Sequence, residues 1–229
     1  MAGCLFAASV LGISADWKTQ SFPNWDEEAV LRLVTDSPWA KQRTVRMEWR
    51  NRIEIPFSYK DVPGADHSNQ PLPGSPVGGI GGGVQRSHLP EKADLIIRWA
   101  SALPVRQAKA LYRHREEKKD LQELIGAGDS DYVVEIYGVP ALVAHQGTGT
   151  VESVVKQSAW LQTKSRKMRP SRVEATVHGG DLTVMVHFAK SPAIEVGDQT
   201  VDFSADFQIF AVREKFKLSA MMYGNRLEL

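Results

Sequence analysis

Asp94-Leu-Ile-Ile-Arg-Trp-Ala-Ser-Ala-Leu-Pro-Val-Arg-Gln-Ala108 carries two periodicities back to back. Leu95, Ile96 and Ile97 form a short apolar run, and its β-branched residues are stiff at χ1 in the way a pleated strand favours. After Pro104 the apolar residues fall at helical spacing, Val105, Ala108, Leu111 and Tyr112. Proline suits a first helical turn, where its missing N–H has no partner to lose. The stretch therefore predicts a buried strand feeding a helix. Arg98 interrupts that strand between Ile97 and Trp99, and a charge there needs a partner or a route to water. Asp16, Asp36 and Glu135 are the candidates. Ser101 stands at the strand-to-helix turn without the glycine frame of a nucleophile elbow, so it is expected to cap the helix.

Working outward, Asn24-Trp25-Asp26-Glu27 has capping-box spacing. It predicts a helix with Trp25, Ala29, Val30, Leu33 and Val34 on one stripe, stopped by Pro38. Thr44 to Arg50 alternates apolar and polar residues as a half-buried strand does. On the other side, Arg113 to Asp120 reads as a solvated charged run, and Leu121, Leu124 and Ile125 resume the helical stripe. Tyr132 to Val139 is a strand closed by Pro140. Thr150 is placed to cap a third helix whose face holds Val151, Val154, Val155, Ser158 and Leu161. That helix is expected to run into Lys164, Arg166, Lys167, Arg169 and Arg172, cations at its C-terminus and a solvated linker. Gly179-Gly180 fits a primed hairpin turn that opposes Val177 to Leu182, Ala175 to Val184 and Val173 to Val186. Val201 to Phe207 and Phe210 to Leu218 alternate as a further strand pair, and Met221 to Leu229 reads as a last strand. The expectation is α+β: a single domain, residues 16–229, mainly antiparallel sheet with about three helices and a Gly/Pro-rich insertion at about 62–90.

The chain has 229 residues and a formal net charge of +1, so no overall field attracts nucleic acid or an anionic membrane. Nucleic acid is not an expected partner. Met1 to Ala15 carries no charge and ends Ile13-Ser14-Ala15 before Asp16, the pattern of a signal-peptide remnant too short for a transmembrane span. A basic n-region is missing, which places the true start upstream of Met1 or makes the segment part of the core. Met1-Ala2-Gly3-Cys4 also has the look of a lipoprotein box, but an apolar run follows Cys4, so the lipid anchor is not favoured. Cys4 is the sole cysteine, and cleavage after Ala15 leaves no thiol for disulfides, zinc or nucleophilic chemistry.

Trp25 with Asp36-Ser37-Pro38-Trp39, Arg98-Trp99-Ala100-Ser101-Ala102-Leu103-Pro104, Lys215-Phe216-Lys217-Leu218, Met221 through Gly224, and Leu227-Glu228-Leu229 together resemble an uncharacterised family of exported acidobacterial proteins. The resemblance spreads over most of the chain. It implies export and a shared fold, and it transfers no functional residues. The Gly-rich insertion and the missing n-region depart from it.

No catalytic motif survives its spacing test. Gly78 to Gly83 suggests a phosphate loop, yet the G-x-G-x-x-G frame starting at Gly79 puts Val84 at its third glycine, and no Lys-Ser or Lys-Thr follows. Gly128-Asp129-Ser130 matches an esterase tripeptide, but a helix precedes it and a strand follows, the reverse of what that chemistry uses. His178 and His187 share a hairpin face about 20 Å apart, too far for one ion. His67, His88, His114 and His145 make no zinc spacing. Asp202 with Asp206, and Asp129 with Asp131, are carboxylate pairs that act only if they converge in a cleft. Six tryptophans are the unusual feature, with Trp39, Trp49 and Trp99 expected in the core, Trp17 as readily on the surface, and Trp25 and Trp160 on helices. No catalytic residue, metal ligand or cofactor is assigned. The expected function is a non-enzymatic exported protein, periplasmic or in the cell envelope, binding a protein or envelope component. The alternative is a hydrolase assembled from dispersed Asp, Ser and His residues.

Overall fold

Helix α1 (Glu27–Thr35) opens the part of the chain that the computed structural model describes, which comprises residues 17, 20–49, 89–114, 125 and 128–229. Its cap is Asp26, whose carboxylate accepts from Ala29 N at 2.7 Å. Asn24, expected in that role, has its own N–H committed to Ser21 O in the preceding turn. Ala29, Val30, Leu33 and Val34 are buried as the stripe requires. The Ser37 hydroxyl donates to Leu33 O and accepts from Trp39 N, closing the Ser-Pro-Trp turn.

Strand β1 (Ala40–Arg46) follows at once and pairs antiparallel with β2 (Lys92–Trp99), with Ala40 opposite Arg98 and Arg46 opposite Lys92. It starts four residues before the alternation at Thr44 suggested and stops short of Arg50. Beyond Arg46 the chain leaves the ladder, since Met47 N donates to Glu91 O and Glu48 N to Ile209 O. Helix α2 (Leu103–His114) follows β2, with Pro104 in its first turn as expected. Ser101 does not cap it. Its hydroxyl accepts from Val133 N on the next strand at 3.0 Å, while Ala102 O receives the first helical N–H groups.

Strand β3 (Asp131–Pro140) lies between β2 and β7 (Asp181–Ala189), and β6 (Arg172–His178) completes a five-stranded antiparallel sheet in the order β1-β2-β3-β7-β6. The ladder shifts between Ile136 and Val139, where Gly138 takes φ 84° and a Cβ would stand 2.6 Å from Asp94 O. The β6–β7 hairpin has the predicted register, Val177 to Leu182, Ala175 to Val184 and Val173 to Val186, with both turn glycines at positive φ.

Helix α3 (Thr148–Ser158) begins before Thr150, with Gly147 at its cap, and ends before Leu161. Trp160 and Leu161 lie instead in β4 (Trp160–Gln162), paired with β5 (Lys167–Met168). The basic cluster therefore occupies this hairpin and its flanks rather than a helix terminus. Arg169 still reaches back, donating to Gln157 O and Ala159 O at the end of α3. A second sheet, ordered β5-β4-β8-β9, takes in β8 (Thr200–Asp206) and β9 (Ala211–Lys217). The C-terminal third is thus divided between two sheets. Met221 to Leu229 is no single strand: β10 (Met222–Tyr223) and β11 (Arg226–Leu227) form a small ribbon.

The fold is α+β. Leu95, Ile97, Trp99, Val134, Ile136, Val186 and Phe188 on the larger sheet face Val201, Phe203, Val212 and Phe216 on the smaller, all buried. Edge-to-face contacts cross between the sheets, Trp99 with Phe216 at 5.8 Å and Phe188 with Phe203 at 6.3 Å. On the opposite face of the larger sheet, α1 and α2 pack together over β2 and β3. A second aromatic group gathers Trp17, Trp25, Trp39 and the ribbon's Tyr223. Trp17 is buried there.

Trp39 and Trp99 are both fully buried, yet the Trp39 indole donates to Glu228 O at 2.8 Å while Trp99 Nε1 has no hydrogen-bond partner among the described residues. Replacing each by Phe leaves a similar cavity, but only Trp39→Phe breaks a hydrogen bond. In urea unfolding, W39F should cost about 1–2 kcal/mol more than W99F. Equal costs would contradict the assignment of that bond.

Candidate functional site

Among the described residues several clefts gather polar side chains, one beside Arg43, Thr44, Arg213 and Glu214 and two that differ sharply in size and lining. The larger, about 790 Å³, lies where α3, the turn Ala141–Ala144 and the β8–β9 turn meet. Its apolar lining comes from Trp49, Val143, Val151, Val154, Phe207 and Ile209. The β8–β9 turn is held rigid: Phe207 stacks on Phe210 at 4.5 Å, Asp206 Oδ1 accepts from Gln208 N, and Gln208 takes φ 70°. Trp49 is half-buried, with its indole nitrogen anchored on Pro90 O at 2.8 Å. The side-chain amides of Gln146, Gln157 and Gln208 line the cleft without a hydrogen-bond partner among the described residues.

Ser158, His145 and Asp206 all line this cleft, a grouping that no spacing in the chain announced. It is not wired as a triad. Ser158 Oγ donates to Asp206 O at 2.8 Å and accepts from Asp206 N at 3.1 Å, so both its functions are spent on β8 backbone. His145 Nδ1 lies 3.2 Å from Leu142 O, a bond in which the ring must donate, leaving Nε2 as its acceptor. A nucleophile needs a base within hydrogen-bond reach and none is paired with Ser158.

The second cleft, about 270 Å³, lies between the α1–α2 layer and the sheet. Its floor holds Arg98. Arg98 Nε and Nη2 donate to the two oxygens of Glu135, directly opposite on β3, at 2.8 and 2.9 Å, and Nη1 donates to Val34 O on α1. Lys109 of α2 donates to Glu135 Oε2 at 2.8 Å. Of the three carboxylates that could have answered Arg98, Glu135 does. Burial alone would raise the Glu135 carboxyl, but the Arg98 bonds and the two cationic charges outweigh it and hold it at about 2. Burial lowers the Lys109 ammonium, and Arg98 and Arg113 repel it, so the pull of Glu135 does not restore its ordinary value. Both groups are lowered, but to opposite effect: two cations favour the Glu135 carboxylate against its burial, whereas burial and two neighbouring cations disfavour the Lys109 ammonium despite the one carboxylate beside it. The cluster carries one positive charge in excess.

The other expected positions stay apart. Ser130 is exposed, and Asp131 accepts from Ser171. Asp202 pairs with Lys215 at 3.6 Å. His187 is buried between Arg172 and Glu174, and His178 is exposed at the far end of the hairpin. Among the described residues no group of three His, Cys, Asp or Glu side chains could hold a metal ion, and no helix is long and apolar enough to cross a membrane. Trp160 lies under the Lys167 ammonium at 4.3 Å. The Gly-rich stretch, the Arg113 to Asp120 run beyond His114, Cys4, His67 and His88 fall outside the described residues, as does the side chain of His114.

No family model, curated protein or solved structure matches this chain. Its chemistry is therefore read from the two clefts.

A carboxyl held at about 2 in the folded chain and near 4.5 when unfolded stabilises the fold above pH 4.5, and that stabilisation disappears as pH falls through 2. Between those limits the native protein should lose up to about 3 kcal/mol on this account. The difference in unfolding free energy between the parent and Glu135→Gln, followed by urea titration from pH 6 to pH 2, should shrink across that window. A constant difference would show that Glu135 titrates normally.

Proposed function

We propose that the protein is an exported, non-enzymatic binding protein of the bacterial envelope, and that its larger cleft holds an uncharged glycan segment. The cleft lining carries the reading. Hydroxyl groups both donate and accept, and so do the side-chain amides of Gln146, Gln157 and Gln208. The half-buried Trp49 offers a ring face of the kind against which the apolar side of a sugar packs. A volume of about 790 Å³ is within the range of small-ligand sites. Among the described residues no Lys or Arg lines the cleft, which argues for a neutral rather than an acidic ligand. Export rests on the uncharged stretch Met1 to Ala15 with its small-residue end before Asp16. A hydrolase built from Asp, Ser and His draws on Ser158, His145 and Asp206, and the backbone bonds of Ser158 weigh against it.

Titration with uncharged glucose and N-acetylglucosamine tetrasaccharides, followed by tryptophan fluorescence and calorimetry, tests the ligand class. Saturable binding weakened about tenfold in Trp49→Ala is expected, equivalent to ~1.4 kcal/mol. Absence of binding, or equal binding by W49A, would contradict the reading. Turnover of ester, phosphoester or glycoside substrates that is lost in Ser158→Ala would replace it with the hydrolase. N-terminal sequencing of protein made from the full reading frame should find the mature chain starting near Asp16, and an intact Met1 would remove export.

A further inference from the structure

We propose that the smaller cleft is a second binding site, specific for a small amphipathic anion: a carboxylate or phosphate monoester attached to a short apolar or aromatic body. Three observations converge on it. The first is charge. Arg98, Lys109 and Arg113 line the cleft, no carboxylate lines it among the described residues, and the single Glu135 behind it answers two of the three cations. A buried excess of positive charge is costly unless an anion offsets it.

The second is hydrogen-bonding capacity. Arg98 is buried to within 9% of its free surface and has five N–H donors, of which three are used, on the two Glu135 oxygens and Val34 O. Lys109 has three donors and spends one on Glu135. Both residues line a cleft whose other polar groups are Thr35, the Arg113 guanidinium and two phenols. Charge-assisted bonds from Arg and Lys to carboxylate or phosphate oxygens are the strong ones, so the head group is specified by this arrangement.

The third is the mouth. Leu31, Tyr112 and Tyr137 are all substantially exposed, at 49%, 66% and 41%, in a molecule where most large apolar side chains are buried. They surround the cationic floor on three different elements, α1, α2 and β3, and give an apolar collar for the body of the ligand. A cleft of about 270 Å³ is the size of a single ring or short chain. The site is separate from the larger cleft and shares no lining residue with it.

Benzoate, phenyl phosphate, inorganic phosphate and the uncharged isostere benzamide serve as probes for the full chain, with calorimetry and the ring resonances of Tyr112 and Tyr137 as readouts. Benzoate and phenyl phosphate should bind and shift both tyrosines, and benzamide should bind at least tenfold more weakly. Arg113→Gln, at an exposed position outside the Glu135 bonds, should fold normally and weaken both anions about tenfold, and Lys109→Gln should weaken them further. Equal binding of benzamide and benzoate, or unaltered binding by R113Q, would overturn the anion site. Inorganic phosphate binding as tightly as phenyl phosphate would overturn the amphipathic part of the proposal. Loss of glycan binding in W49A with the anion site intact distinguishes failure of one cleft from failure of the other.

Discussion

The helices are fastened to the sheet by charge as well as by apolar packing. Arg98 and Glu135 face each other across β2 and β3, on the side of the sheet away from the aromatic core, and each reaches a helix: Arg98 the Val34 carbonyl on α1, Glu135 the Lys109 ammonium on α2. One carboxylate thereby fixes the positions of two strands and one helix, and its arginine fixes the other helix. Charges at this depth are costly to desolvate, and the cost is repaid only when geometry is good and further hydrogen bonds complete the shell. The fork-to-fork geometry of Arg98 on Glu135 meets that demand, and the Val34 and Lys109 bonds extend it.

The same network explains why the smaller cleft exists. Two cations meeting one carboxylate between the helix layer and the sheet leave charge that no other described carboxylate answers, and apolar side chains cannot close over it without further desolvation. The larger cleft has a different origin. The chain leaves β1 at Met47, ties itself to the β8–β9 turn through Glu48 N and Ile209 O, and sets the half-buried Trp49 in the lining of the cleft beside α3. The small cleft is lined by Arg98, Lys109 and Arg113, and the wide one mainly by apolar and amide side chains with Asp206 and His145.

The segments that sequence described best are those where local pattern and burial agree. The β6–β7 hairpin register followed from two glycines and three apolar cross-strand pairs, because a one-residue slip would move every valine to the wrong face. The strand-to-helix step at Trp99 to Pro104 was equally legible. Arg98 was visible as a charge in need of a partner, but Asp16, Asp36 and Glu135 are indistinguishable until strand pairing places Glu135 opposite it. Cap positions slipped by two residues at Asn24 and three at Thr150, since several neighbouring residues can accept or avoid the same N–H groups. The division of the C-terminal strands between two sheets, and both clefts, depend on contacts between residues far apart in the chain. Ser158 with Asp206 is such a pair, and no periodicity signals it.

The most direct measurement is a double-mutant cycle between Arg98 and Glu135, using Arg98→Met and Glu135→Leu in urea unfolding at pH 7. If the pair docks the helices on the sheet, Glu135→Leu strands Arg98 and Lys109 and should cost about 3–5 kcal/mol, and Arg98→Met, which leaves Glu135 with Lys109 alone, should cost less but still about 2 kcal/mol or more. The double substitution should then cost less than the sum by at least about 2 kcal/mol. Additive costs of less than about 1 kcal/mol each would show that the two side chains are solvated independently, and would contradict a buried pair as the fastening of this fold.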